Sequence, residues 1–145
     1  DRVSATPVSQ TIHHAPQPAE VALWRQYPRA PFVAISRLQA NLMDGVNVVG
    51  VVPHGIDTDA FRFRADPEDY LLFLGRFTPG KGPVQAIELA RRVGMRLVLV
   101  AAEDEYYREA VAPLVDGRQI VYAGEADFEQ KVALCGGARA LLYPV

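Results

Sequence analysis

No unbroken apolar run in this sequence is longer than the six residues from Leu97 to Ala102. A helix that crosses a bilayer needs roughly 20, so no transmembrane segment is expected. Cysteine is nearly absent: Cys135 stands alone, which excludes an internal disulfide and fits a reducing, cytoplasmic compartment. An excess of either charge is also missing. Fifteen Lys and Arg face 17 Asp and Glu for a net charge of −2, and no long basic run occurs, so nucleic acid and anionic membrane are poor partners. There is no initiator Met and no signal peptide. The chain opens at Asp1 and stops at Val145 straight after an expected strand, the pattern of a fragment or processed piece of something larger. What the sequence does have is apolar material. Half of its 145 residues are hydrophobic, enough for a sizeable core in a chain of one-domain length.

The chain is organised around Tyr70 to Gly82. Leu71 to Leu74 is a continuous apolar run, the mark of a strand buried on both faces of a parallel sheet. Gly75, Pro79, Gly80 and Gly82 then turn the chain and bare its amides. Pro83 to Val93 is predicted helical, with Pro83 in the first turn and an apolar stripe of Ala86, Ile87, Ala90 and Val93. A loop at the carboxyl end of such a strand, running into a helix N-terminus, is where open α/β sheets take anionic ligands. Arg76 and Lys81 flank the turn and can grip phosphate. The same pattern also fits a βα turn with two solvated cations. The glycine spacing matches neither a Walker loop nor the dinucleotide fingerprint.

Elsewhere the residues predict alternating strands and helices. A strand over Pro7–His14 leads to a polar exit at His13-His14. These histidines either face solvent or touch a ligand; a metal site is disfavoured because no third ligand lies near. Ala19–Tyr27 is predicted helical, with Trp24 in the core, and Pro31–Ile35 is a strand. Ser36 caps a helix whose apolar face is Leu38, Leu42 and Met43, and which stops at Gly45. Val46–Val52 is a strand. In Pro53-His54-Gly55-Ile56-Asp57, Gly55 is expected at positive φ and Asp57 at a turn or short helix over 58–61. Further strands are expected at Met95–Ala101, Gln119–Ala123 and Ala138–Tyr143. Helices are expected from Asp104 to Leu114 and from an Asp127 cap to Gly136-Gly137, with Cys135 buried on the apolar side. Short connections between strands and helices give right-handed βαβ units: an α/β fold with a Rossmann-like parallel sheet and helices on both faces.

Four groups in order carry a resemblance. They are Pro53-His54-Gly55-Ile56-Asp57 with Phe61; Leu72-Phe73-Leu74-Gly75-Arg76 with Lys81-Gly82; Tyr122, Gly124-Glu125, Asp127 and Lys131; and Gly137-Ala138-Arg139-Ala140-Leu141-Leu142 with Pro144. Together they resemble the retaining glycosyltransferases of family four, which have the two-domain GT-B architecture. The match covers nearly all of residues 46–145, and more weakly Thr11–His14 and Phe32–Ser36. It implies that residues 1–46 close an acceptor-side domain, and that residues 47–145 begin a domain binding a nucleotide-sugar.

On this resemblance Gly75, Arg76, Lys81 and Gly82 hold the donor diphosphate, and Glu125, Ala126 and Lys131 lie by the nucleobase. His13 and His14 stand near the cleft. No metal or other cofactor is required. Some GDP-using relatives carry a carboxylate where Phe128 stands, which leans the donor towards a UDP-sugar. Relatives usually carry Asn at the His54 position. The family's catalytic residues and its pair of glutamates lie outside this chain, so the 145 residues alone are expected to be inactive. The acceptor and the oligomeric state stay open. A non-catalytic nucleotide-binding module of the same fold is the alternative. A dinucleotide oxidoreductase is disfavoured, because Met95–Ala101 offers no acidic residue for a ribose.

Overall fold

The computed structural model describes residues 6–144. The chain parts into two compact units, Asp1–Ile56 and Asp57–Val145. In the first, strands β1 (Gln10–Ile12), β2 (Phe32–Ala34) and β3 (Val48–Val51) form a parallel sheet in the order β1-β2-β3. The expected domain boundary falls before β3. That strand instead pairs with β2, and its Val48 lies opposite Phe32.

Helix α1 (Pro18–Trp24) starts with Pro18 in its first turn, where no backbone N–H is needed. Helix α2 (Arg37–Leu42) is capped by Ser36, whose Oγ accepts a hydrogen bond from the Gln39 amide at 3.0 Å. The core of this unit is small: Ile12, Phe32, Ala34 and Met43, with Trp24 packed on Phe32 at 5.3 Å between ring centroids. The expected face of α2 is corrected here. Leu38 and Leu42 are 72% and 51% exposed; of the expected face only Met43, at the C-cap, is buried, and within the helix it is the polar Gln39 that turns inward.

In the second unit β4 (Tyr70–Leu74), β5 (Arg96–Val100), β6 (Ile120–Tyr122) and β7 (Ala140–Leu141) run parallel in the order β6-β5-β4-β7. Residue 72 of β4 lies opposite Val98 and Leu141. Alternate side chains point to opposite faces. Leu71, Phe73, Leu97, Leu99 and Ile120 therefore share one face with Ala86, Ile87 and Ala90 of helix α3 (Pro83–Arg92). Tyr70, Leu72, Val98 and Val100 share the other with Leu134 and Cys135 of helix α4 (Phe128–Gly137). Helices thus cover both faces, as the apolar runs imply. At about 25 cal/mol per Å2 of apolar area, the burial of strands on two faces is the main stabilising term here.

Several local expectations change. Val93 sits at the C-cap of α3 and is exposed. Of the turn or short helix expected after Asp57 the turn forms, over residues 58–60, with the Asp57 carboxylate accepting from the Asp59 amide at 3.1 Å. Gly55 has a negative φ. The segment after β5 is no regular α-helix: it widens into a π turn over Tyr107–Val111 and tightens to a 3-10 turn over Ala112–Leu114, where Pro113 cannot donate. The end of α4 is as expected, with Gly136 and Gly137 its last two residues. A Cβ on Gly137 would meet the Tyr70 hydroxyl at 2.5 Å, so glycine here lets the helix lie close to the sheet.

Candidate functional site

The carboxyl ends of β4, β5 and β6 come together through an aromatic stack. Phe77, fully buried, lies in the loop after β4 between Arg76 and Gly80. Its ring stacks on Phe73 at 6.0 Å and on Tyr107 at 5.0 Å. Tyr107 in turn packs on Tyr122 at 4.4 Å. The Tyr122 hydroxyl donates to the Ala101 carbonyl at 2.9 Å in the loop after β5. Burial, with the nearby Glu103 charge, raises the Tyr122 pKa and so keeps that donor protonated. Asp104 accepts from the Tyr107 amide at 2.7 Å and anchors the start of the π turn. Backbone bonds continue past the strand ends: the Gly75 amide donates to Val100 at 3.2 Å, and the Ala101 amide to Gly124 at 3.1 Å. Three loops are thereby fixed to one another.

Between them opens a cavity of about 360 Å3. Gly75, Arg76, Glu125, Ala126 and Lys131 all line it, brought there from two separate stretches of sequence. Leu74, Val100 and Ala102 supply apolar wall, and Glu103 and Asp104 add carboxylates. Lys131 is carried on the first turns of α4. Asp127 starts that helix by accepting from the Gln130 amide at 2.8 Å, while the Gln130 side chain accepts from the Asp127 amide at 3.0 Å. Arg76 has no ion-pair partner among the described residues. The cavity therefore joins a free guanidinium and an ammonium to hydrogen-bond acceptors and apolar surface, a set suited to a ligand with an anionic part and a polar ring.

Lys81 and Gly82 do not line this cavity. The Lys81 ammonium donates to the Tyr143 hydroxyl and lies 4.8 Å from the centroid of that ring. Gly82 is the N-cap of α3, with φ +68°. His13 and His14 find partners inside the first unit. His13 Nδ1 is 3.3 Å from His54 Nε2, with the two rings stacked, and His14 Nε2 is 3.0 Å from the Glu20 carboxylate. Phe128 leans edge-on against Phe61 at 5.8 Å. Cys135 is half-buried, and burial raises its thiol pKa, which makes it a poor nucleophile. Among the described residues no group of three or more His, Cys, Asp or Glu could hold a metal ion. No helix of the described residues is long and apolar enough to cross a membrane.

A second cavity of about 390 Å3 lies between residues 61–67 and α4. It holds none of the expected site residues, and two of its arginines are engaged, Arg64 with Glu68 and Arg139 with Asp69. The residues that sequence reasoning missed are Phe77, Tyr107 and Tyr143. Their signal was weak: an aromatic next to a glycine loop reads as core or surface equally well until its partners are known.

Comparison with solved structures decides the fold. A chain of known structure, AviGT4, a glycosyltransferase involved in avilamycin A biosynthesis, is 32% identical to this chain. The similarity covers 77% of this chain, with a TM-score of 0.60. The chain has a glycosyltransferase fold. The matched region is 34% of AviGT4, so the chain spans about a third of that protein's length. No protein-family model matches the chain, and no curated protein does. Within the glycosyltransferase fold, the cavity sits at the carboxyl ends of parallel strands, the general ligand position of open α/β sheets.

Proposed function

We propose that this chain carries the donor-binding side of a retaining glycosyltransferase of family four, with the two-domain GT-B arrangement. On this reading a sugar passes from a nucleoside-diphosphate donor to an acceptor hydroxyl. One observation carries the reading: Gly75 and Arg76 meet Glu125, Ala126 and Lys131 in one cavity, within a glycosyltransferase fold. Arg76 would take the diphosphate bidentately. Lys81 would add a point charge beside the first turn of α3, whose free amides and partial positive charge favour an anion. Negative charge develops on the leaving diphosphate, and donors fixed in advance stabilise it without having to reorganise. These groups make a metal unnecessary for that task. Glu125, Ala126 and Lys131 would face the base. Some GDP-using relatives carry a carboxylate at the Phe128 position, and its absence here favours UDP over GDP. A cytoplasmic setting goes with the single half-buried thiol.

Calorimetric titration with UDP and with GDP tests this. Lys81→Ala is expected to weaken UDP binding by about 1.5–3 kcal/mol, the worth of a hydrogen bond to a charged group. Arg76→Ala should do the same. UDP affinity unchanged in both variants would overturn the assignment, and tighter binding of GDP than of UDP would overturn the choice of base.

A further inference from the structure

We propose that Tyr143 is a positioning residue that holds Lys81 ready for the diphosphate of a nucleotide ligand; this rests on the donor-binding reading above. β7 pairs with β4 in parallel, with Leu141 opposite Leu72, and the Leu142 amide donates to the Leu72 carbonyl at 2.7 Å. The chain leaving β7 is thus delivered to the same sheet end as the glycine loop leaving β4. Tyr143 and Pro144 lie across that loop. The Pro144 carbonyl oxygen stands 2.5 Å from where a Cβ on Gly82 would be, so only glycine lets the two segments meet.

Tyr143 then makes one directed contact with the ammonium. Its hydroxyl accepts from Lys81 Nζ, which lies 4.8 Å from the ring centroid, beyond the hydroxyl at the rim of the ring. The chemistry of this partner matters. A carboxylate would set a negative charge against the lysine and compete with a phosphate for it, whereas a hydroxyl acceptor engages a single N–H. An ammonium has three N–H donors. One is given to the phenol, and the others stay available to phosphate oxygens. A flexible lysine loses rotamer freedom when it binds an anion, and a side chain already held loses less. Tyr143 is about half exposed, so the pair is open to a ligand.

The test uses the full 145-residue chain with UDP and uridine as probes. Tyr143→Leu is expected to weaken UDP about 3- to 10-fold, the worth of one immobilised side chain, and to leave uridine unchanged. Tyr143→Phe keeps the ring but removes the acceptor, and should weaken UDP as Tyr143→Leu does. In a Lys81→Ala background, Tyr143→Leu should cost nothing further. Proton NMR gives a readout without ligand: the Lys81 ε-methylene protons show a nuclear Overhauser contact to the Tyr143 ring protons beside the hydroxyl in the wild type. Equal loss for uridine, tighter UDP binding, wild-type UDP affinity in Tyr143→Phe, a further loss in the Lys81→Ala background, or no such contact in the wild type would each overturn the proposal. If Lys81→Ala itself leaves UDP binding intact, the donor reading falls with it. If Lys81→Ala weakens UDP and Tyr143→Leu does not, only the positioning role falls.

Discussion

Gly82 and Gly94 share a positive φ, of +68° and +67°. They differ in what surrounds them. A Cβ on Gly82 would sit 2.5 Å from the Pro144 carbonyl oxygen and 2.8 Å from Pro144 Cγ, whereas a Cβ on Gly94 meets nothing within 4 Å. Alanine at either site carries the left-handed backbone cost, about 1–3 kcal/mol. At Gly82 it must also push the 143–144 segment off the loop. Gly82→Ala is therefore expected to destabilise the second unit by more than Gly94→Ala, and to weaken UDP binding as well. Denaturant unfolding of both variants measures this, and equal losses would remove the contact from the account. The sequence does show that Gly82 ends a tight loop before a helix. It cannot show that Pro144 fills the space above it, because that contact depends on β7 pairing with β4. Arg76, Glu125, Ala126 and Lys131 were legible through motif order and do meet in one cavity. Lys81 was legible as a cation of the loop, but its Tyr143 partner was not.

At the scale of elements, the buried Gln39 shows where pattern reading reaches its limit. An apolar stripe of Leu38, Leu42 and Met43 is a reasonable expectation for α2, yet the helix turns Gln39 inward at 5% exposure. The side-chain amide donates to the carbonyls of Ile12 at 2.9 Å and His14 at 2.7 Å, and its oxygen accepts from the Ile35 amide at 2.6 Å. It thereby satisfies the backbone where β1 and β2 end, which no apolar side chain could do. Gln39→Ala leaves buried polar groups without partners and should cost about 1–3 kcal/mol. Gln39→Leu restores the volume but not the bonds, and should recover little of it. Recovery of wild-type stability by Gln39→Leu would show that only the volume matters. Elsewhere β4 and β5 were legible because both-face burial leaves unbroken apolar runs, and the caps Ser36 and Asp127 were legible from residue type. The segment after β5 was not. Its composition is helical, but the packing of Tyr107 and Val111 into the aromatic stack and the presence of Pro113 select a π turn and a 3-10 turn instead.

For the molecule as a whole, two units with separate cores should not melt as one. The first holds four residues in its main cluster and the second has a far larger core. Reporters for each are built in. Trp24, the sole tryptophan, packs on Phe32 in the first unit, while the Tyr107–Tyr122 pair lies in the second. Tryptophan fluorescence should therefore lose its native signal at lower denaturant than the near-ultraviolet tyrosine signal, since a small core offers less buried area to offset chain entropy. Ligand separates the two further. Every residue assigned to the donor lies in Asp57–Val145. UDP at a hundred times its dissociation constant adds about 2.7 kcal/mol to whatever unit binds it, which for a domain of this size is about 10–20 °C in melting temperature. The tyrosine transition should move by that amount while the Trp24 transition stays in place. If both move together, the binding free energy is shared by the two units, and the donor site is not built by the second unit alone.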